Sequence, residues 1–271
     1  MSHYLWLIPL GFIVGAWGTL IGVGGGIVLI PVLLLLYPRE NPEIITSISL
    51  AVVFVNALSG SVAYARMGRI DYKSGLMFSA ATIPGAILGA LSTSHIPRSL
   101  FDTVFGLLMI ATSVFLFLNP SGGKAATGAN RIDHLARSLV EKDGTVHAYS
   151  YNPLIGIGSS FFVGYVSSLL GIGGGIVHVP VMIELLHFPV HIATATSHFV
   201  LAIMSLTGTI VHVEMGSFSH GVRRTIALSL GVLPGAQLGA LLSNRVKGNW
   251  IIRSLAIALG FVGIRILIMA W

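Results

Sequence analysis

The stretch "GVGGGIVLIPV" at residues 22–32 returns as "GIGGGIVHVPV" at residues 171–181, with eight of eleven aligned positions identical. Each copy places a run of glycines before an apolar turn and a proline. Glycine weakens a helix by roughly 1 kcal/mol per residue relative to alanine. Pro31 and Pro180 each lack a backbone donor. The pattern therefore predicts two helices that break at the glycines and restart near Ile27 and Ile176. What such a break does depends on the medium around it.

Composition identifies that medium. Hydrophobic residues make up 54% of the 271-residue chain and charged residues only 9%, against about 25% charged residues in a soluble domain. The mean hydropathy is +0.89. So few charges cannot cover a water-exposed surface of this size, and the bilayer is the expected solvent. The chain has no cysteine, which excludes disulfides, thiolate metal sites and cysteine nucleophiles. The opening "MSHYLWLIPLGFIVGAWG" has neither a basic n-region nor an A-x-A cleavage site, so it reads as a retained membrane segment.

Apolar segments run over about 4–37, 44–65, 74–93, 99–118, 153–187, 190–213, 222–243 and 249–271. Six have the length of one spanning helix, about 20 residues. The first and fifth are longer, and both carry the glycine run. The expected fold is an all-α integral membrane protein of two homologous four-segment repeats. "TSIS" at 46–49 maps onto "TATS" at 194–197, "GSVAYARMG" at 60–68 onto "GTIVHVEMG" at 208–216, and "PGAILGAL" at 84–91 onto "PGAQLGAL" at 234–241. Residues 1–118 form the first repeat, 119–152 a polar linker and 153–271 the second repeat. Pro120, Gly122, Gly123 and Gly128 mark the first part of the linker as flexible. Ile132, Leu135 and Leu139 then follow at helical spacing, which fits a short helix on the membrane surface or a solvated loop.

The formal charge of +6 sits in the loops and reads as topology control. No basic stripe interleaved with aromatics points to nucleic acid. If each glycine segment crosses once, the loops on one side carry nine Lys and Arg and the others four, which places both chain ends inside. If each doubles back as a re-entrant hairpin, the repeats have opposite orientation. The tally is again nine against four, with Arg245 and Lys247 exchanging sides with Arg223 and Arg224. Both arrangements put the 119–152 linker in the cytoplasm.

A helix that restarts inside a bilayer exposes free N–H groups and the positive end of its dipole. Without a Cβ in the way, an anion approaches these donors closely. Gly22, Gly24, Gly25 and Gly26, with Gly171, Gly173, Gly174 and Gly175, are therefore candidate substrate contacts at the repeat interface. The hydroxyls of Thr46, Ser47, Ser49, Thr194, Thr196 and Ser197, and the amide of Asn56, join them. His178 and His198 stand where the first half has Leu29 and Leu50. Buried ionisable groups in membranes are costly and functional by default, and histidine exchanges a proton near neutral pH. These two are the candidates for proton coupling. The rows Gly85/Gly89 and Gly231/Gly235/Gly239 have the four-residue spacing of close helix packing.

No G-x-x-x-x-G-K, full G-x-G-x-x-G, H-E-x-x-H or G-x-S-x-G is present. No cofactor, resident metal or enzymatic activity is expected.

The glycine pattern over Thr19–Pro31 and Ser168–Pro180, the Thr/Ser clusters, "YARMGRID" at 64–71 and the "PGAxLG" at 84–89 resemble the TauE/SafE family of sulfite and organosulfonate exporters. The likeness covers nearly the whole chain except residues 119–152. It implies transport of small sulfur-containing or carboxylate anions across the inner membrane, driven by an ion gradient. The resemblance does not name one substrate. The expected function is thus a secondary transporter for a small anion, with the bilayer and the solute as its partners and a homo-oligomer as an open option. An uncoupled anion channel, and a membrane-embedded binding subunit using the linker as its partner surface, are the alternatives.

Overall fold

A computed structural model describes residues 4–118, 135–142, 144–243 and 248–270. The first part of the linker, Pro120 to Gly128, lies outside the described residues, as does Ile132. Helices dominate, and by length and composition six of the described ones can cross a membrane. Large apolar side chains such as Leu76, Leu88, Leu107, Phe162, Leu241 and Phe261 are exposed along them, as lipid-facing residues must be. Among the described residues the fold is that of an all-α integral membrane protein apart from one surface hairpin.

Helix α1 (Leu7–Ile21) ends at Gly22 and α2 (Gly26–Leu36) begins after Gly25. Later in the chain α6 (Pro153–Leu170) ends at Gly171, and α7 (Gly175–Pro180) begins after Gly174. Gly22, Gly24 and Gly25 have φ of 83°, 83° and 81°, and Gly171, Gly173 and Gly174 have φ of 70°, 80° and 68°. An L-residue in this left-handed region costs roughly 1–2 kcal/mol, so each turn requires its three glycines. After Pro180 the chain runs on as one π-helical turn, Val181–Leu185.

At both turns the chain reverses. A Cβ on Gly25 would stand 2.8 Å from Val14 Cγ1, and one on Gly174 would stand 3.1 Å from Val163 Cγ1. A continuous helix would separate each of those pairs by about 16 Å. Tyr4, before α1, and Tyr37, after α2, both meet Arg224, whose guanidinium lies 4.0 Å over the Tyr37 ring. The first hairpin therefore enters and leaves by one face. The same face holds Glu40, whose carboxylate accepts from Arg224 at 3.0 Å and whose carbonyl accepts from Arg98 at 2.6 Å.

The remaining helices are α3 (Pro42–Met67), α4 (Tyr72–Thr93), α5 (Arg98–Leu118), α8 (Val190–Glu214), α9 (Val222–Leu242) and α10 (Gly248–Ala270). Their starts follow local chemistry. Pro42 and Pro153 occupy first-turn positions where no donor is needed. Asp71 caps α4 by accepting from the Ser74 N–H at 3.2 Å. Helix α1 packs on α9 and α6 packs on α4, while α3 pairs with α8 and α5 with α10. The small-residue rows make the first two contacts backbone-close. A Cβ on Gly85 or Gly89 would lie 2.2 Å from the carbonyl oxygens of Phe161 or Tyr165, and one on Gly231 would lie 1.9 Å from that of Ile8.

Neither the surface helix nor the solvated loop expected around Leu135 and Leu139 is there. Strands β1 (Leu135–Val140) and β2 (Val146–Tyr151) form an antiparallel hairpin. Leu135 and Leu139 are four apart, which satisfies a helix, but they are also on one face of a strand. The alternation of Tyr149 and Tyr151 decides for the strand, and both are buried. Gly144, at φ 90°, supplies the turn. The hairpin sits on the face opposite Glu40. There Glu141 accepts from Arg69 at 2.6 Å, and the Lys142 N–H donates to the Met67 carbonyl at 3.1 Å. Phe188, just beyond the π-turn, packs on Tyr149 and Tyr151 with ring centroids 4.5 and 5.0 Å apart. The second glycine hairpin therefore opens toward this second face.

Candidate functional site

The two glycine turns meet in the interior, and each is enclosed by the other half of the chain. A Cβ on Gly26 would lie 2.4 Å from the Ile172 carbonyl oxygen, and one on Gly175 would lie 2.5 Å from that of Gly22. Thr194 covers Gly22, and Thr46 covers Gly171. Ser49 Oγ donates to the Gly171 carbonyl at 2.6 Å. Val53 and Leu201, from the crossing helices α3 and α8, lie over both Gly24 and Gly173. The "TSIS" and "TATS" clusters thus reach the glycine runs because α3 and α8 cross between the turns.

The expectation of free amides is met in part. The N–H groups of Gly22, Val23 and Gly24 donate to the carbonyls of Gly18 and Thr19, and those of Gly171 and Ile172 to Ser167. These close the preceding helix and are not available to a solute. The amides of Gly25, Gly26 and Ile27, and of Gly173, Gly174 and Ile176, meet no backbone acceptor among the described residues.

The hydroxyl candidates divide further. Thr46 and Thr194 donate to the carbonyls of Glu43 and Val190 within their own helices, and Ser47 does the same to Ile44. Thr196 Oγ1 accepts from the Asp71 N–H at 3.0 Å and so ties α8 to the start of α4. Ser197 stays at the centre, 3.3 Å from His178 Nδ1.

Two buried polar groups flank the turns. In the first, Thr19 Oγ1 donates to Asn56 Oδ1 at 3.0 Å, and His198 Nε2 lies 3.3 Å from Thr19 Oγ1. Because the Thr19 proton goes to Asn56, His198 donates through Nε2, which leaves Nδ1 as an acceptor. That Nδ1 and the Asn56 Nδ2 are fully buried and have no partner among the described residues. Tyr64 closes the group by donating to the Thr19 carbonyl at 2.8 Å. In the second group, His178 is held between Ser160 and Ser197 at 3.3 Å each, with Phe78 edge-on at 5.9 Å. Both histidines are buried within one helical turn of glycine-bearing backbone, or cross to it, but their surroundings differ. Only the first group presents an unpartnered amide.

Thr19, Tyr64, Ser160 and Phe78 escaped the sequence reading as site residues. Thr19 was findable: it precedes the first glycine run at the place where Ser168 precedes the second. Nothing in the sequence marks Ser160 or Phe78, whose roles arise from the packing of α4 on α6.

The chain matches the family described as Sulfite exporter TauE/SafE over residues 7–266. It is 33% identical over 270 residues to the probable membrane transporter protein YunE of Bacillus subtilis, covering 96% of each chain. It is 23% identical over 282 residues to a probable membrane transporter protein of Methanocaldococcus jannaschii, covering 98% of this chain and 97% of that one. A probable membrane transporter protein of Xylella fastidiosa is 28% identical over 241 residues, covering 88% and 84%. No solved structure matches the chain. With the glycine turns, the crossing Thr/Ser helices and this match spanning nearly every described residue, the chain belongs to the TauE/SafE family of membrane transporters.

Proposed function

We propose that this protein is a secondary transporter for a small anion, with sulfite, an organosulfonate or a related carboxylate as its substrate. The observation that carries the reading is the unpartnered, fully buried Asn56 amide beside Thr19 and the first glycine turn, together with amides after each glycine run that meet no backbone acceptor among the described residues. Such N–H donors hold an oxyanion without a full positive charge in the membrane. Gly25, Gly26, Gly173, Gly174, Asn56 and Ser197 are the proposed contacts, while Ser49, whose hydroxyl proton goes to the Gly171 carbonyl, holds the second turn in place. His198, with one bare ring nitrogen, fits proton coupling better than His178, whose two nitrogens both face serines.

The two halves are read as inverted repeats of five pieces, because each glycine hairpin returns to the face it came from and the two open on opposite faces. Arg66, Arg69, Lys73, Arg137 and Lys142 then share one side with Arg245, Lys247 and the rest of the linker. This is the arrangement in which nine Lys and Arg face four, so the hairpin face is cytoplasmic by the positive-inside rule. The membrane is the inner membrane. Alternating access is the movement of one half against the other around the crossed turns.

Flux of sulfite, organosulfonates, sulfate and carboxylates into proteoliposomes, with and without a pH gradient, tests the reading. Saturable flux that responds to the gradient is expected. Non-saturating conductance indifferent to any counter-ion would replace the transporter with a channel.

A further inference from the structure

A two-stranded hairpin is at best marginally stable in water on its own, so β1 and β2 depend on what lies beneath them. Their inner face carries Arg137, Leu139, His147, Tyr149 and Tyr151. Tyr151 is fully buried, with its ring 5.8 Å from Phe78 and 5.0 Å from Phe188. Phe78 in turn stands edge-on to His178, four residues past Gly174. From the second face inward, the hairpin, an aromatic layer, a histidine and a glycine turn follow in order. On the opposite face the connections at residues 37–41 and 94–97 are short, and no hairpin covers them among the described residues.

The hairpin is fastened at two points on the α3–α4 junction. Asp71 accepts from Tyr149 Oη at 2.8 Å and from Ser74 Oγ at 2.5 Å, with Arg137 at 3.5 Å. Tyr151 Oη lies 2.6 Å from the same Ser74 hydroxyl. Burial and the adjacent Asp71 carboxylate hold the Tyr149 hydroxyl well above the usual phenol range, so it remains a donor. The second fastening is Arg69–Glu141–His147, at 2.6 and 2.8 Å. Asp71 also donates its N–H to Thr196, one residue before Ser197. The latch is thus linked by one residue to the helix that carries a proposed substrate contact.

We propose that the hairpin of β1 and β2 is a gate on the second face, and that Asp71 is its latch. Docked, the hairpin seals the route to His178, Ser197 and the second glycine turn. A solute reaches them from that side only after Tyr149 and Tyr151 leave Asp71 and Ser74. The gate rests on the transport reading, and its test separates the two.

The chain has no cysteine, so introduced thiols report without background. Met67→Cys with Lys142→Cys joins two positions whose backbones are already hydrogen-bonded. Once oxidised, this pair is expected to lose about tenfold or more of its flux and to recover on reduction. Unchanged flux with the cross-link verified overturns the gate. A second readout needs no substrate. Ser160→Cys, fully buried beside His178, is exposed to a membrane-impermeant thiol reagent. Adding Asp71→Asn and Tyr149→Phe is expected to speed its labelling about tenfold, and unchanged labelling overturns the gate. Faster labelling in a protein that carries none of the anions supports the gate and counts against the transport reading alone.

Discussion

Gly25 shows how far a single residue can be read from sequence. The need for glycine at this position is legible, because three in succession have no use in a continuous helix. The consequence of replacing it is not. Its left-handed φ and the proximity of Val14 Cγ1 at 2.8 Å to any added Cβ make it a folding residue as well as a site residue. Gly25→Ala is expected to destabilise the protein by about 1–2 kcal/mol from the backbone alone, with more from the overlap. A lowered melting temperature in detergent checks this. Lost flux in a glycine variant therefore says little about anion binding. Asn56→Ala separates the two better, since it removes two N–H donors that no protein group uses and leaves the backbone of both turns intact, at the loss of one acceptor for Thr19. Flux is expected to fall about tenfold to a hundredfold, the effect of losing a hydrogen bond to a charge, while the Thr19 hydroxyl left without its acceptor lowers stability by about 1–3 kcal/mol, read separately from the melting temperature. An unaltered flux would remove Asn56 from the site.

At the scale of elements, composition and periodicity place the helices, because a bilayer demands long apolar runs and permits few breaks. The small-residue rows also read correctly as packing surfaces. Gly231→Leu would drive a side chain into the backbone of Ile8. It is expected to cost on the order of 3 kcal/mol and to push α9 off α1, with loss of a monodisperse peak on size exclusion as the check. The β-hairpin was misread for a physical reason. Its strands are too short for periodicity to separate a helix from a strand at Leu135 and Leu139. The aromatics that decide are recognisable only by the buried surface they cover. The hydroxyl clusters were legible as a set but not individually, because sequence cannot show that Thr46, Ser47 and Thr194 bond to their own helices.

For the whole molecule, sequence left two topologies level, since each gave the same imbalance of positive charge. The reversal at Gly22–Gly26 and Gly171–Gly175, which no count of Lys and Arg contains, is what supports the proposed inverted arrangement. With the hairpin face inside, Lys142→Cys is expected to react with an impermeant thiol reagent only in inverted vesicles, and Ser94→Cys only in intact cells. Labelling of both from one side would discard the inverted arrangement. The crossing of α3 and α8 between the turns was equally out of reach, because it sets residues of one half around the backbone of the other at separations above a hundred positions, as between Ser49 and Gly171.

The backbone contact of Gly26 with Ile172, and of Gly175 with Gly22, bears on the history of the chain. Two copies of a duplicated segment ordinarily drift apart independently. Here each copy forms the wall against which the other must fit, so a bulkier residue accepted in one is rejected by its twin. Residues 22–32 and 171–181 differ only at Val23/Ile172, Leu29/His178 and Ile30/Val179, and every glycine of the two turns is kept, as that mutual restraint requires.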